Sequence, residues 1–289
     1  MATLHDDKVK VLEAKALEVR KSIIEMLVEA KSGHTAGPLG MTDVFTAFYF
    51  HILKHDPRNP TWEERDRLVL SNGHICPVLY ATMAHAGYFP IEELKTLRKF
   101  GTRLQGHPHR EYLPMLETSS GPLGEGLGQA IGMALADRLD HGVSSNRYIY
   151  CFLGDGELNE GIIWEGMMLA GKEKLRNLIA IVDRNNIQID GFTETIMPLE
   201  PLRSKFESFG WHVLEVDGHN MEAIADAVDE AKAIFEKPSI IIAHTIPGKG
   251  VEMFERDYKW HGNPPNKEQG ANALAELRTL GGQIVSEHE

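Results

Sequence analysis

Two residues carry the oxygen chemistry of a metal site. Asp155 sits in Gly154-Asp155-Gly156, and Asn185 opens the pair Asn185-Asn186. One carboxylate and one amide oxygen suit a hard cation such as Mg²⁺. Gly154 and Gly156 lack a Cβ, so a bulky anion can approach their backbone. Four histidines add a second chemistry: Gly33-His34, Gly73-His74, Gly106-His107 and His261-Gly262 each place an imidazole beside a glycine. Such rings can bind phosphate, hydrogen-bond sugar hydroxyls or move protons. Taken singly, each also reads as an ordinary structural histidine. Zinc is the weaker reading, because no pair has tight ligand spacing and no cysteine joins them. Asp-Gly and Asn-Asn are common in turns as well. What makes them specific is what flanks them.

Residues 148–153 form an apolar and aromatic run that reads as a buried strand, ended by the Gly-Asp-Gly. Residues 157–174 carry Ile162, Trp164, Met168 and Leu169 at helical spacing, and 178–182 read as a second strand. Strand, helix, strand is a βαβ unit, so the two strands are expected to be parallel neighbours. Asp155 and Asn185 then share the carboxyl edge of one sheet, where ligands bind. The intervening helix aims its amino end there and favours phosphate. The unit reads as a Mg²⁺-diphosphate site.

The rest of the chain extends this pattern. Val9, Leu12, Ala16, Val19, Ile23 and Met26 alternate steps of three and four, which predicts an amphipathic helix ending near Gly33. Residues 32–41 read as a Gly/Pro loop, with Thr42 as the N-cap of a following helix. Further expectations are a strand at 67–70 and helices at 77–86, 91–100 and 129–139. The segments 101–116, 119–128 and 245–265 read as long irregular stretches, usually functional when so long. Strands at 211–216 and 239–243 around a helix at 221–235 give a second βαβ step, and 271–280 a last helix. The expected class is α/β, a doubly wound, mostly parallel sheet with helices on both faces.

Composition narrows the function. The chain has 289 residues and a formal net charge of −12, which argues against a nucleic-acid partner. Cys76 and Cys151 both lie in apolar surroundings and read as buried thiols, consistent with a reducing compartment. The first 30 residues are charged throughout and no apolar run could span a bilayer, so a cytoplasmic protein without membrane contact is expected.

These motifs, in order, resemble the amino-terminal half of transketolase: SGHTAGPLG, SNGH, the Gly106-His107-Pro108 triplet, SGPLGEGLGQAIGMA, GDGELNEG, DRNNIQIDG and WHG. The resemblance covers nearly the whole chain. It implies the thiamine diphosphate-binding fold, one such domain over 1–289 with a C-terminal extension from about 262. It implies transfer of a two-carbon ketol unit from a ketose to an aldose, both often phosphates, within the pentose phosphate pathway. The implied cofactors are thiamine diphosphate and Mg²⁺, with Ca²⁺ or Mn²⁺ as substitutes. Asp155, Asn185 and the Ile187 carbonyl would hold the metal. Gly154, Gly156, His74 and His261 would contact the diphosphate, and Gly121, Pro122 and Leu123 would line the aminopyrimidine side. His34, His107 and His261 would face the sugar. Glu160 is expected near the cofactor and, with Glu165, near the subunit contact.

Three departures matter. Thr35 and Ala36 replace residues of the usual GHPGAPLG, so the resemblance does not name the sugar. Glu125 stands where the family often has Gln. Residues 263–289 are too few for another domain, so the glutamate that activates the aminopyrimidine has no place here. The chain thus resembles the smaller half of a split transketolase. It would act with a second subunit carrying the pyrimidine-binding domain, as an α2β2 assembly. The loops 33–41, 119–128 and 161–171 are expected to meet that partner. Two other readings stand beside this one: a split ketol transferase for a modified sugar, and a non-catalytic assembly subunit, which the full set of cofactor ligands disfavours.

Overall fold

A computed structural model describes residues 4–143 and 145–279. In chain order the elements are α1 (Asp6–Ala30), α2 (Ala36–Gly40), α3 (Thr42–Ala47), β1 (Arg67–Leu70), α4 (Cys76–His85), α5 (Glu125–His141) and β2 (Ile149–Gly154). There follow α6 (Gly161–Glu173), β3 (Leu178–Arg184), β4 (Ile187–Gln188), β5 (Gly191–Phe192), α7 (Thr193–Ile196) and α8 (Leu202–Ser208). The chain continues with β6 (His212–Asp217), α9 (Met221–Ala233), β7 (Ser239–His244) and α10 (Lys267–Thr279).

Five strands make one sheet in the order β1-β2-β3-β7-β6, and every pairing in it is parallel. β4 and β5 form a separate antiparallel pair just beyond β3. Side chains alternate across a strand, and here both faces are apolar. Tyr150, Phe152, Ile179, Ile181 and Ile241 join the core beneath α1, α3, α4 and α9. Ile149, Cys151, Leu153, Ala180, Val182 and Ile242 join the core beneath α5, α6 and α8. A sheet covered on both faces needs near-continuous apolar strands, as the sequence of β2 and β3 has. The stripe on α1 is buried from Leu12 to Met26, and Lys31 ends the helix in the left-handed region at φ 53°. Both cysteines are free and buried.

Several expectations need correction. Residues 32–41 are not a plain loop: α2 lies within them and is buried throughout. Thr42 is not an N-cap but the first residue of α3, and its hydroxyl donates to the Pro38 carbonyl at 2.9 Å. Residues 157–174 are not one helix: a 3₁₀ turn, Gly156–Asn159, precedes α6. The turn is held by side-chain bonds that local spacing does not show. α5 begins four residues earlier than expected, inside the glycine-rich 119–128 stretch. The expected helix over 91–100 is a 3₁₀ turn, Ile91–Thr96. The last helix starts at Lys267, and Leu280 lies outside the described residues.

A buried ionic network ties the layers together. Arg20 of α1 donates twice to Asp43 of α3, at 2.9 and 2.6 Å. His219, before α9, shares Asp43 Oδ2 at 2.8 Å and accepts the Ile246 N–H at 2.8 Å. Burial alone would raise the Asp43 carboxyl's pKa, but Arg20 and His219 outweigh it and hold the group well below the usual range. A depressed folded-state pKa contributes stability above the unfolded value, lost as pH falls through the folded one. Asp43→Asn is therefore expected to cost about 3–5 kcal/mol in chemical denaturation at neutral pH, since it strands a buried guanidinium. The gap to wild type should narrow in acid below about pH 4.

Candidate functional site

The β2–β3 register, with Gly154 opposite Asp183, brings Asp155 and Asn185 to one sheet edge. Asp155 is 1% exposed. Its Oδ1 accepts the Gly156 N–H at 2.7 Å, and Oδ2 accepts the Asn186 N–H at 2.8 Å. Arg184 Nη1 donates to the same Oδ2 at 3.1 Å. Burial raises the Asp155 pKa, with Arg184 and the amide donors opposing. Asn185 Nδ2 donates to Asp183 Oδ2 at 2.8 Å, and its Oδ1 accepts the Ile187 N–H at 3.0 Å. The amide is thereby fixed in one orientation. Asp183 is buried too, pushed up to about 7 by desolvation, and it accepts from the Thr245 hydroxyl. Ile187 is buried at the start of β4.

Three of the four histidines converge. The ring centroids of His34 and His74 lie 4.9 Å apart, those of His34 and His261 5.6 Å, and those of His74 and His261 5.2 Å. They come from before α2, from the turn after β1, and from the segment before α10. Thr35 makes one of these junctions: its hydroxyl donates to the Asn263 carbonyl at 2.6 Å, strapping His34 to the His261 segment. The residue that departs from the family pattern thus has a structural task. His107 is exposed at the rim, close enough for a charge on it to be felt by His34 and His74. The 71–74 turn is also pressed against the loop that carries Gly121, Pro122 and Leu123. A Cβ on Gly73 would collide with Ser120 Oγ. Glu160 and Glu165 are exposed on the first turns of α6 and its N-cap.

The residues fit a diphosphate and a cation. Asn72 is fully buried against Gly154, and neither end of its amide has a protein partner. Nδ1 of His34 and of His261 is likewise buried and unpartnered. Orphaned buried polar atoms cost about 1–3 kcal/mol each, which a polar ligand would relieve. A Cβ on Gly156 would meet the Gln188 side chain at 3.0 Å, so glycine lets Gln188 pack against this turn. Asp155 and Asn185 supply oxygen donors, as a hard cation requires. Among the described residues no three His, Cys, Asp or Glu side chains are grouped to hold a metal. The metal candidate therefore rests on one carboxylate, one amide and the backbone.

Sequence reasoning missed four residues at this edge. Arg184 also pairs with Glu194 at 2.6 Å and Glu200 at 3.1 Å, linking Asp155 to the α7–α8 segment. Asn72, Asp183 and Glu157 are buried polar groups. Asp183 and Glu157 reach Thr245 and Ser71, 62 and 86 residues away, while Asn72 has no protein partner. All four stand inside motifs already singled out, so their position was a usable signal.

Burial sets the histidine protonation. Desolvation lowers His34 to about 3, with mutual repulsion from His261, Arg98 and His107 adding to it. Desolvation also lowers His261 to about 4 and His74 well below its ordinary value. All three rings are neutral at physiological pH, each with one donor and one acceptor nitrogen. NMR of the cofactor-free chain should show none of these three rings titrating between about pH 8 and 5.5. The unfolded chain binds these protons near pH 6.5, so stability should decline as pH falls below that value. A ring among the three titrating near 6.5 would contradict the burial argument.

Comparison with known proteins gives the family. Residues 12–282 match the model for transketolase, thiamine diphosphate binding domain. The chain is 45% identical to the 6-deoxy-6-sulfo-D-fructose transketolase subunit of Clostridium sp. (strain MSTE9), covering 93% of this chain and 97% of that one. It is 40% identical to one of the subunits of the apulose-4-phosphate transketolase of Phocaeicola vulgatus, covering 93% and 95%. The structure matches transketolase from Leishmania mexicana with a TM-score of 0.86 at 36% identity, covering 92% of this chain but only 41% of that one. The chain spans about two fifths of that solved transketolase. Matching the family's cofactor domain along most of its length, and two proteins named as transketolase subunits over nearly their whole length, the chain belongs to the transketolase family and corresponds to its thiamine diphosphate-binding domain.

Proposed function

We propose that this chain is the thiamine diphosphate- and Mg²⁺-binding subunit of a split transketolase. The observation that carries the reading is that Asp155 and Asn185 follow β2 and β3 at their carboxyl ends while His74, which gathers His34 and His261, follows the neighbouring parallel strand β1. Asp155, Asn185 and the Ile187 carbonyl would hold the cation. Gly154, Gly156, His74 and His261 would hold the diphosphate, with Gly121, Pro122 and Leu123 along the aminopyrimidine and Glu160 nearby. The bound cofactor supplies the carbanion chemistry that breaks and remakes the bond beside a ketose carbonyl. The chain's own part is placement and proton handling. Neutral His34 and His261 can each donate one hydrogen bond and accept another from sugar hydroxyls. His107 at the rim can orient the sugar from the open side.

We read 1–289 as one diphosphate-binding unit with an extension from about 262. Relatives matched along nearly their whole length are named as subunits, which supports a partner for the pyrimidine ring. An exposed apolar stripe on α6, Ile162, Met168 and Leu169, together with Leu123 and the exposed Gly128 and Gly132 of α5, supports such a contact. Residues 33–41 do not belong to that face, since all but His34 are buried within this chain. An α2β2 assembly follows from the two-fold symmetry usual for such enzymes. Among the described residues no helix is long and apolar enough to cross a membrane.

Two substrate readings remain. One is the ordinary pair of a ketose phosphate and an aldose phosphate. The other is a modified sugar, favoured by relatives named for 6-deoxy-6-sulfo-D-fructose and apulose 4-phosphate. A panel of ketose donors and aldose acceptors, run on the co-purified pair, separates them.

Three outcomes are expected. The chain purified alone, with saturating cofactor and metal, should show no ketol transfer, and adding the partner should restore it; turnover without a partner would end the split reading. Asp155→Ala should lower thiamine diphosphate affinity at least about tenfold in calorimetry of the assembled enzyme, because hydrogen bonds and contacts to a charged group are worth roughly 1.5–3 kcal/mol. His107→Ala should raise KM or lower kcat while cofactor affinity stays within a few-fold; the opposite split would exchange its role with that of His74.

A further inference from the structure

Glu157 is 2% exposed and lies in the 3₁₀ turn directly after the Gly154-Asp155-Gly156 triplet. Three hydrogen-bond donors from three places converge on its carboxylate. Oε1 accepts the Ser71 hydroxyl, from the turn after β1. Oε1 also accepts the Gly124 N–H at 2.6 Å, from the residue before α5. Oε2 accepts the Gly154 N–H at 2.9 Å, at the end of β2. Ser71 passes the connection on, because its Oγ accepts the Gly126 N–H at 3.1 Å. Only glycine fits at 126: a Cβ there would collide with the Ser71 side chain and backbone.

We propose that Glu157 is a positioning residue, a single buried carboxylate that clamps the His74 turn and the Gly121–Leu123 loop against the Asp155 strand end. The two loops so held supply His74 on one side and Gly121, Pro122 and Leu123 on the other. Ser71 is three residues from His74, and Gly124 directly follows Leu123. A loop displaced by about an ångström at such a site loses much of its binding. The choice of residue follows from the donors. All three partners donate and none accepts, so the position requires an acceptor with two free oxygens. Gly124 caps the amino end of α5 and Gly126 lies in its first turn, and that end favours a negative charge. With Glu157 engaged there, that end of α5 faces an anion already supplied by the protein. Among the described residues no lysine or arginine side chain is hydrogen-bonded to the Glu157 carboxylate; neutral dipoles satisfy it. A glutamine at 157 would turn an NH₂ group toward at least one N–H, leaving a donor against a donor.

The inference rests on the thiamine diphosphate reading only for its consequence, not for the clamp itself. The test uses the full chain assembled with its partner, and it has two readouts. Amide hydrogen exchange followed by mass spectrometry should show faster exchange over 71–75 and 121–127 in Glu157→Gln, with α1 and β3 unchanged. Calorimetric titration with thiamine diphosphate and Mg²⁺ should show affinity reduced about tenfold or more. Ser71→Ala removes one donor and the Gly126 acceptor in a smaller change, and should show the same pattern to a lesser degree; it decides the matter if Glu157→Gln does not fold. Unchanged exchange in these segments overturns the clamp. Faster exchange with undiminished cofactor affinity overturns the positioning role. A wild-type assembly that binds no thiamine diphosphate would instead overturn the function proposed above, and the exchange pattern would still decide the clamp.

Discussion

The structure depends on the parallel pairing of β2 with β3. Their register sets Gly154 opposite Asp183, and the backbone bond from the Asp155 N–H to the Asp183 carbonyl extends the ladder one step beyond β2. Asp155 and Asn185 thereby occupy one edge without any loop having to carry them there. Parallel strands need a crossover, and α6 is that crossover. A slip of one residue in this pairing would turn the strand side chains to the wrong cores and separate the two oxygen donors.

Holding acidic groups at a dry edge is costly unless each finds donors. Three different solutions appear side by side. Asp155 pairs with Arg184, whose other contacts are Glu194 and Glu200. Asp183 accepts from Thr245 and Asn185, and burial still raises its carboxyl. Glu157 gathers neutral donors from two loops and a strand end. Each solution draws its donors from a separate segment, so satisfying the carboxylates also assembles the site. The Arg20–Asp43–His219 network does the same for the helices on the opposite side of the sheet.

The histidines follow a related logic. Bringing three imidazoles to centroid distances of 4.9 to 5.6 Å would be unfavourable if they were charged. Burial keeps them neutral, and neutral rings can be neighbours. The Thr35–Asn263 bond sets two of them in place across most of the chain length. A crowded, neutral, hydrogen-bonding cluster beside an oxygen-rich edge is suited to a sugar bound next to a diphosphate.

The amino-acid sequence by itself determined the βαβ unit, the strands and the stripe on α1. These signals are local: alternating burial, helical spacing and glycine punctuation operate within a dozen residues. The motif order was enough to identify the family and to nominate Asp155, Asn185 and the histidines. Tertiary structure decided what no spacing records. That residues 36–40 are a buried helix, that α6 is preceded by a 3₁₀ turn, and that α5 begins at Glu125 all depend on bonds to distant partners. Glu157 reads in sequence as one more charge on a helix face. Its partners Ser71 and Gly124 lie 86 and 33 residues away. A buried polar group is defined by the donors that surround it, and those exist only once the sheet and its loops have come together.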